Sequence, residues 1–272
     1  MSGIAAGPGA TGAAAAERVD DVSPVVSEAG FTHPGVFNSL DSLKTTKAHV
    51  LAGKAPWADN FAQLASSPYV DRGAPSFEKF GAAGATDPKS KACSRDDPNG
   101  CVTVCGSFNK NPGVGCSDQQ ADSRAVYGQA LMYWYTGDAT YAQRAIAILN
   151  AYSKHFKGST GSNGPLMTAW TAGLMVRGAE LIRYTYQPDS AEQKFDVEAF
   201  KSLLSKAFVP TLTSFDYGKF NGNWKLSAAE GLISVAVFLD DRRLYNHALA
   251  MWRERTHAYV YLSTDGDLPV PP

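Results

Sequence analysis

From residue 121 onward, apolar residues recur three and four positions apart, interrupted only by short polar segments, a pattern that predicts successive amphipathic helices. The periodicity places them at 121–136, 139–156, 166–186, about 189–215, 223–239 and 242–255. Gly137 beside Asp138 pairs a C-terminal glycine with an N-cap aspartate, Pro165 suits a first helical position, and Pro210 predicts a bend. Upstream, 36–52 and 57–65 read as two further helices, and 258–262 as a short strand. Between them lies 69–120, rich in Gly, Pro, Asn and Asp, a length that inside a compact domain points to an ordered functional loop.

The stretch 219–241, KFNGNWKLSAAEGLISVAVFLDD, draws the rest together. Trp224, Leu232, Val235, Phe238 and Leu239 fall near one helical face, with small Ala228 and Gly231 between them. Asn223 is placed to act as N-cap. Lys225 in the first turn opposes the helix dipole, which points to a polar lip facing a ligand. The competing reading is a capped core helix with Trp224 as packing.

If consecutive helices are antiparallel, parity puts the short corners at Gly137, Pro188 and Asp240 at one end. The cysteine loop, 157–164 and 216–223 then share the other. Short turns on one side and long polar loops on the other would build a cleft. The expected fold class is therefore all-α, a helical barrel of antiparallel hairpins with a long Cys-containing loop. Its domain is expected over 31–272, after an Ala/Gly-rich segment through residue 30 expected to be disordered.

Charge and cysteines narrow the class. Twenty-five basic against 26 acidic residues leave a formal charge of −1, which gives no basic surplus for nucleic acid or an anionic membrane. No apolar run approaches a membrane span, and the N-terminus lacks the basic and apolar regions of a signal peptide. Cys93, Cys101, Cys105 and Cys116 fit no common zinc spacing, so two disulfides stapling the loop are expected over a metal site or free thiols. Their pairing is left open. Disulfides imply an oxidising compartment, hence a secreted protein.

No P-loop, dinucleotide fingerprint, nucleophile elbow or zinc-protease helix occurs in the chain, and no cofactor or metal is expected. Asn163, Trp170, Arg177, Asn221, Asn223, Trp224 and Lys225 converge on the expected cleft. Amides, aromatic rings and cations suit sugars, acidic ones above all. Arg177 has a structural ion pair as its alternative role. Glu180 and Glu230 would be the carboxylates of a glycoside hydrolase on the same scaffold. A carbohydrate-binding protein without turnover is the other alternative.

Several stretches resemble the alginate lyase family of polysaccharide lyases: THPGVFNSLDSLKTTKAHVLAGKAPW, NPGVGCSDQQADSRAVYGQALMYWYTGDATYAQRAIAILNAYS, SNGPLMTAWTAGLMVRGAELIRYT, FNGNWKLSAAEGLISVAVFLDDRRLYNHAL and AYVYLSTDG. The resemblance implies an (α/α) toroid that cleaves uronic-acid polysaccharides by β-elimination outside the cytoplasm. It implies that Asn221 and Asn223 hold the uronate carboxylate while a base takes the C5 proton, although the histidine usual beside such an asparagine is absent. It also implies that residues completing the toroid and supplying catalytic groups lie beyond 267–272. The expected partner is an acidic polysaccharide and the expected state a monomer.

Overall fold

The computed structural model describes residues 21–74, 81–82, 100–106, 114–191, 194–214 and 222–260, with backbone alone at 81–82 and 257–260. The chain runs β1 (Val25–Val26), β2 (Thr32–His33), α1 (Leu40–Leu51), α2 (Trp57–Ala65), β3 (Gly81–Ala82), β4 (Cys101–Val104), α3 (Cys116–Thr136), α4 (Ala139–His155) and β5 (Phe156–Thr160). It continues with α5 (Gly164–Thr185), α6 (Val197–Leu203), a π-helical turn (Leu204–Phe208), α7 (Val209–Thr213), α8 (Asn223–Leu239) and α9 (Arg242–Val260). The fold class is all-α.

Three long helices, α3, α5 and α8, lie side by side and parallel. Gln119 bonds Thr171, Val126 packs at Gly178 and Tyr133 bonds the Thr185 carbonyl, so α3 and α5 advance together. Likewise Gly231 lies against the Ala169 carbonyl and Arg183 donates to Phe238 O, which aligns α5 with α8. Because α4 packs on α3, and α9 on α8, the two outer parallel helices are each one arm of an αα-hairpin. The core between the layers holds Trp134, Ile148, Leu149, Tyr152, Phe200, Phe208 and Phe238, all fully buried.

The parallel helices approach closely. A Cβ built on Gly178 would meet Val126 O at 2.7 Å, and one on Gly231 would meet Ala169 O at 2.9 Å. Only glycine lets the backbones come this near.

The structure moves several expected boundaries. α3 begins at Cys116 rather than 121, following Gly115 at φ 72°. The helix expected from 189 starts at Val197, where Asp196 Oδ1 accepts from Ala199 N at 2.9 Å. Just before Pro210, where a bend was expected, the helix takes a π-helical turn, and Pro210 has no N–H to continue the α-helical ladder. Residues 258–260 are helical rather than strand, and 261–262 lie outside the described residues.

Residues 21–30, part of the segment expected to be disordered, are instead held against the rest of the chain. β1 pairs with β2, Ser27 hydrogen-bonds Asp240, and Arg242 Nε donates to Ala29 O at 2.9 Å. These ties reach across the whole chain to the α8–α9 corner, and no local sequence signal announces them.

The long loop holds strands. β4 lies between β3 and β5, pairing in parallel with β5 so that Cys101 faces Phe156 and Val104 faces Thr160. This joins the cysteine loop to 157–164 at the N-terminal end of α5, as the parity argument expects. Of the third loop, 215–221 lie outside the described residues, but α8 starts at that same end because it runs parallel to α5. The Cys105–Cys116 disulfide ties the end of β4 to the start of α3. Cys101 is disulfide-bonded too, while Cys93 falls outside the described residues.

Candidate active site

A subset of the accessible positions of the parallel helices forms one face. On α5 it includes Trp170, Leu174 and Arg177, spaced four and three apart, with Asn163 just before the helix. On α3 it includes Gln120 and Arg124, and on α8 Asn223 and Glu230. Gln120, Arg124, Trp170, Leu174, Arg177 and Glu230 line a cleft of about 360 Å³. Trp170 is 41% exposed, a large indole left open where most of its helix is buried.

Asn163 and Asn223 stand at the same end of neighbouring helices, both exposed. Asn163 precedes α5, its N–H donating to Cys105 O at 2.9 Å, and its side chain caps nothing. Asn223 is the first residue of α8 rather than its N-cap, because Gly222, at φ 62° and ψ −129°, makes the turn. Neither helix start has a side-chain cap, so first-turn N–H groups and a positive dipole end face the same region. Asn221 lies outside the described residues.

Lys225 does not form the expected lip. It sits on the face of Ala228, Ala229 and Leu232, fully buried, with Nζ 2.9 Å from Glu254 Oε2 on α9. That hydrogen bond holds the Glu254 carboxyl below its ordinary pKa. Trp224 is half-buried and packs against the core, the competing reading made for it above.

Arg177 adopts the ion pair offered as its alternative role, with Glu230 Oε1, and stays at the cleft wall. Its guanidinium lies 3.9 Å from the centroid of the Phe37 ring. Glu180, by contrast, is buried beneath the face. His33 Nδ1 lies 2.5 Å from its Oε1, and Gly35 N–H donates to the same oxygen at 3.1 Å. With Glu180 spent on fixing the N-terminal segment, the hydrolase pair Glu180–Glu230 does not face across the cleft.

The loop wall is braced from behind. Asp122 is buried on α3, hydrogen-bonded by Arg72 and by Tyr152 Oη at 2.7 Å. Burial pushes the Asp122 carboxyl up, against the pull of those two hydrogen bonds, and pushes the Tyr152 phenol well up. Thr103 donates to Gln119 Oε1 at 2.6 Å, and Gln119 Nε2 donates to Thr171 at 3.0 Å, linking β4, α3 and α5.

Sequence reading missed Gln120, Arg124 and Phe37. The first two share a face of α3 four residues apart, a signal that was present. Phe37 gives none, because its place depends on Arg177, far along the chain. Among the described residues, no group of three or more His, Cys, Asp and Glu could hold a metal ion. No described helix is long and apolar enough to cross a membrane.

An all-α stack of hairpins with an amide- and aromatic-bearing face is thus the class of protein defined here. The family model described as Alginate lyase matches residues 57–270, and the chain belongs to that family, one of polysaccharide lyases. No curated protein and no solved structure matches it.

Proposed function

We propose that the protein cleaves an acidic, uronic-acid-containing polysaccharide such as alginate by β-elimination, on an (α/α) toroid of which α3 to α9 form part. The observation that carries this is the pairing of exposed Asn163 and Asn223 at adjacent uncapped helix starts, with open Trp170 on the same face. Elimination removes the C5 proton beside a carboxylate, and the enolate adds charge to a group already negative. Amide donors and helix N-termini stabilise that charge as it forms. Asn221 and Asn223 take the carboxylate, Asn163 and Arg177 assist, and the Trp170 ring stacks on a sugar. Lys225 acts from behind, its Glu254 pair fixing the first turn that carries Asn223. The Cys105–Cys116 disulfide supports a secreted protein.

The test is absorbance in the unsaturated-uronate band with the purified protein on alginate, glucuronan and similar polymers, beside Asn223→Ala. A rise that the substitution abolishes supports the reading. Binding without any rise points to a carbohydrate-binding protein, and reducing ends without unsaturation to a hydrolase.

A further inference from the structure

We propose that Phe37 is a second sugar-stacking platform, extending the cleft past Arg177 into the groove between the N-terminal segment and the α8–α9 hairpin. The inference rests on the acidic-polysaccharide reading above and adds a subsite to it.

Among the described residues, Phe37 is the most open of the large exposed hydrophobic side chains, at 76%. Its backbone has φ 67°, a region that a bulky L-residue enters at a cost and that recurs at ligand sites. The neighbours hold it there. Val36 is buried, and Asn38 Nδ2 donates to Tyr127 Oη at 3.0 Å. The Arg177 guanidinium at 3.9 Å covers one side of the ring, and the exposure of the residue leaves the other to solvent. A ring set out by a strained backbone and backed by a cation contributes little to the core.

Beyond Phe37 lies a groove of about 600 Å³ whose lining includes Phe37, Glu230, Ile233, Arg242, Tyr245 and Trp252. Glu230 also lines the Trp170 cleft, so the two spaces adjoin at the Arg177–Glu230 pair. Exposed rings at Trp170, Phe37 and Trp252 thus follow one another, with the Arg177 cation against the middle ring and Arg242, stacked on Phe31 and Tyr245, in the groove lining beyond it. Stacking rings alternating with cations fit a polyuronate chain, whose sugars offer apolar C–H faces and a carboxylate on each unit. The occupant is the far end of the substrate chain held at Trp170.

The test uses the full 272-residue chain and measures binding of alginate disaccharide and decasaccharide by calorimetry. Phe37→Gly removes the ring and relieves the backbone, so its thermal midpoint is expected to stay level or rise. Decasaccharide affinity is expected to fall about tenfold, as loss of one stacking contact implies, with the disaccharide unchanged. Phe37→Tyr is expected to restore the decasaccharide. Trp170→Ala is expected to weaken both. An unchanged decasaccharide affinity in Phe37→Gly, with wild type binding normally, overturns this inference alone. A fall in midpoint together with equal loss for both sugars assigns Phe37 to structure and also overturns it. If wild type binds neither oligouronate, the polysaccharide reading falls and this one with it.

Discussion

Lys225, fully buried, reaches Glu254, 61% exposed, across the α8–α9 hairpin at 2.9 Å. The ammonium is shielded while its partner stays in water, so the pair is asymmetric. Removing the Glu254 carboxylate deprives a buried charge of an acceptor, which costs about 1–3 kcal/mol. Glu254→Ala is therefore expected to lower the denaturant midpoint. A variant as stable as wild type would show that Lys225 is held by its other contacts.

Two carboxylates titrate with opposite consequences. The hydrogen bond from Lys225 lowers the folded pKa of Glu254, so its contribution is present above the unfolded value and lost as pH falls through the folded one. Burial raises Asp122, so its contribution is present below the unfolded value and lost as pH rises through the folded one. Thermal midpoints measured against pH should show Asp122→Asn losing less than wild type across the rise, and Glu254→Gln losing less across acidification.

On the proposed polysaccharide reading, Glu230, which pairs with Arg177, competes with substrate for it. Glu230→Gln breaks the ion pair and removes a negative charge from the cleft, so KM for an acidic polysaccharide is expected to fall about threefold to tenfold, the scale of a partly exposed charge interaction. Arg177→Ala is expected to raise KM. Steady-state kinetics at low and high salt check both, since the Glu230→Gln gain should shrink with salt.

The Cys105–Cys116 bridge closes a loop with a sequence separation of 11 and holds the carbonyl that receives the Asn163 N–H. Reduction is expected to cost about 2–4 kcal/mol of stability and to lower turnover by loosening Asn163. Parallel melting and activity curves with and without reductant would show whether the two losses track each other.

Close packing predicts a further cost. Gly178→Ala sets a methyl 2.7 Å from Val126 O, a backbone atom that can move only if α3 and α5 separate. The expected loss is about 1–3 kcal/mol, read as a lower denaturant midpoint.

The helices were legible because burial repeats along them. Gly137, Asp138 and Pro165 mark ends the structure also uses, and parity placed the loops of the β4–β5 junction together. β4 and β5 were not legible, since short strands carrying Cys, Thr, Ser and Gly have no long apolar alternation and pair across more than fifty residues. At the candidate site, helical spacing pointed to Trp170 and loop parity to Asn163, and both are exposed. Lys225 was misjudged as a lip because its charge outweighed its position three, four and seven residues before buried Ala228, Ala229 and Leu232. Glu180 was equally opaque, as its partner His33 is 147 residues away.

The glycine contacts between α3, α5 and α8 do more than tighten the fold. They make the cleft floor a ruler whose divisions are set by main chain touching main chain. Side chains mounted on it inherit that pitch. Substitutions elsewhere in the core can soften the protein without changing the step between the cleft-lining positions of α3, α5 and α8, so the side chains there can change while the interval between them stays.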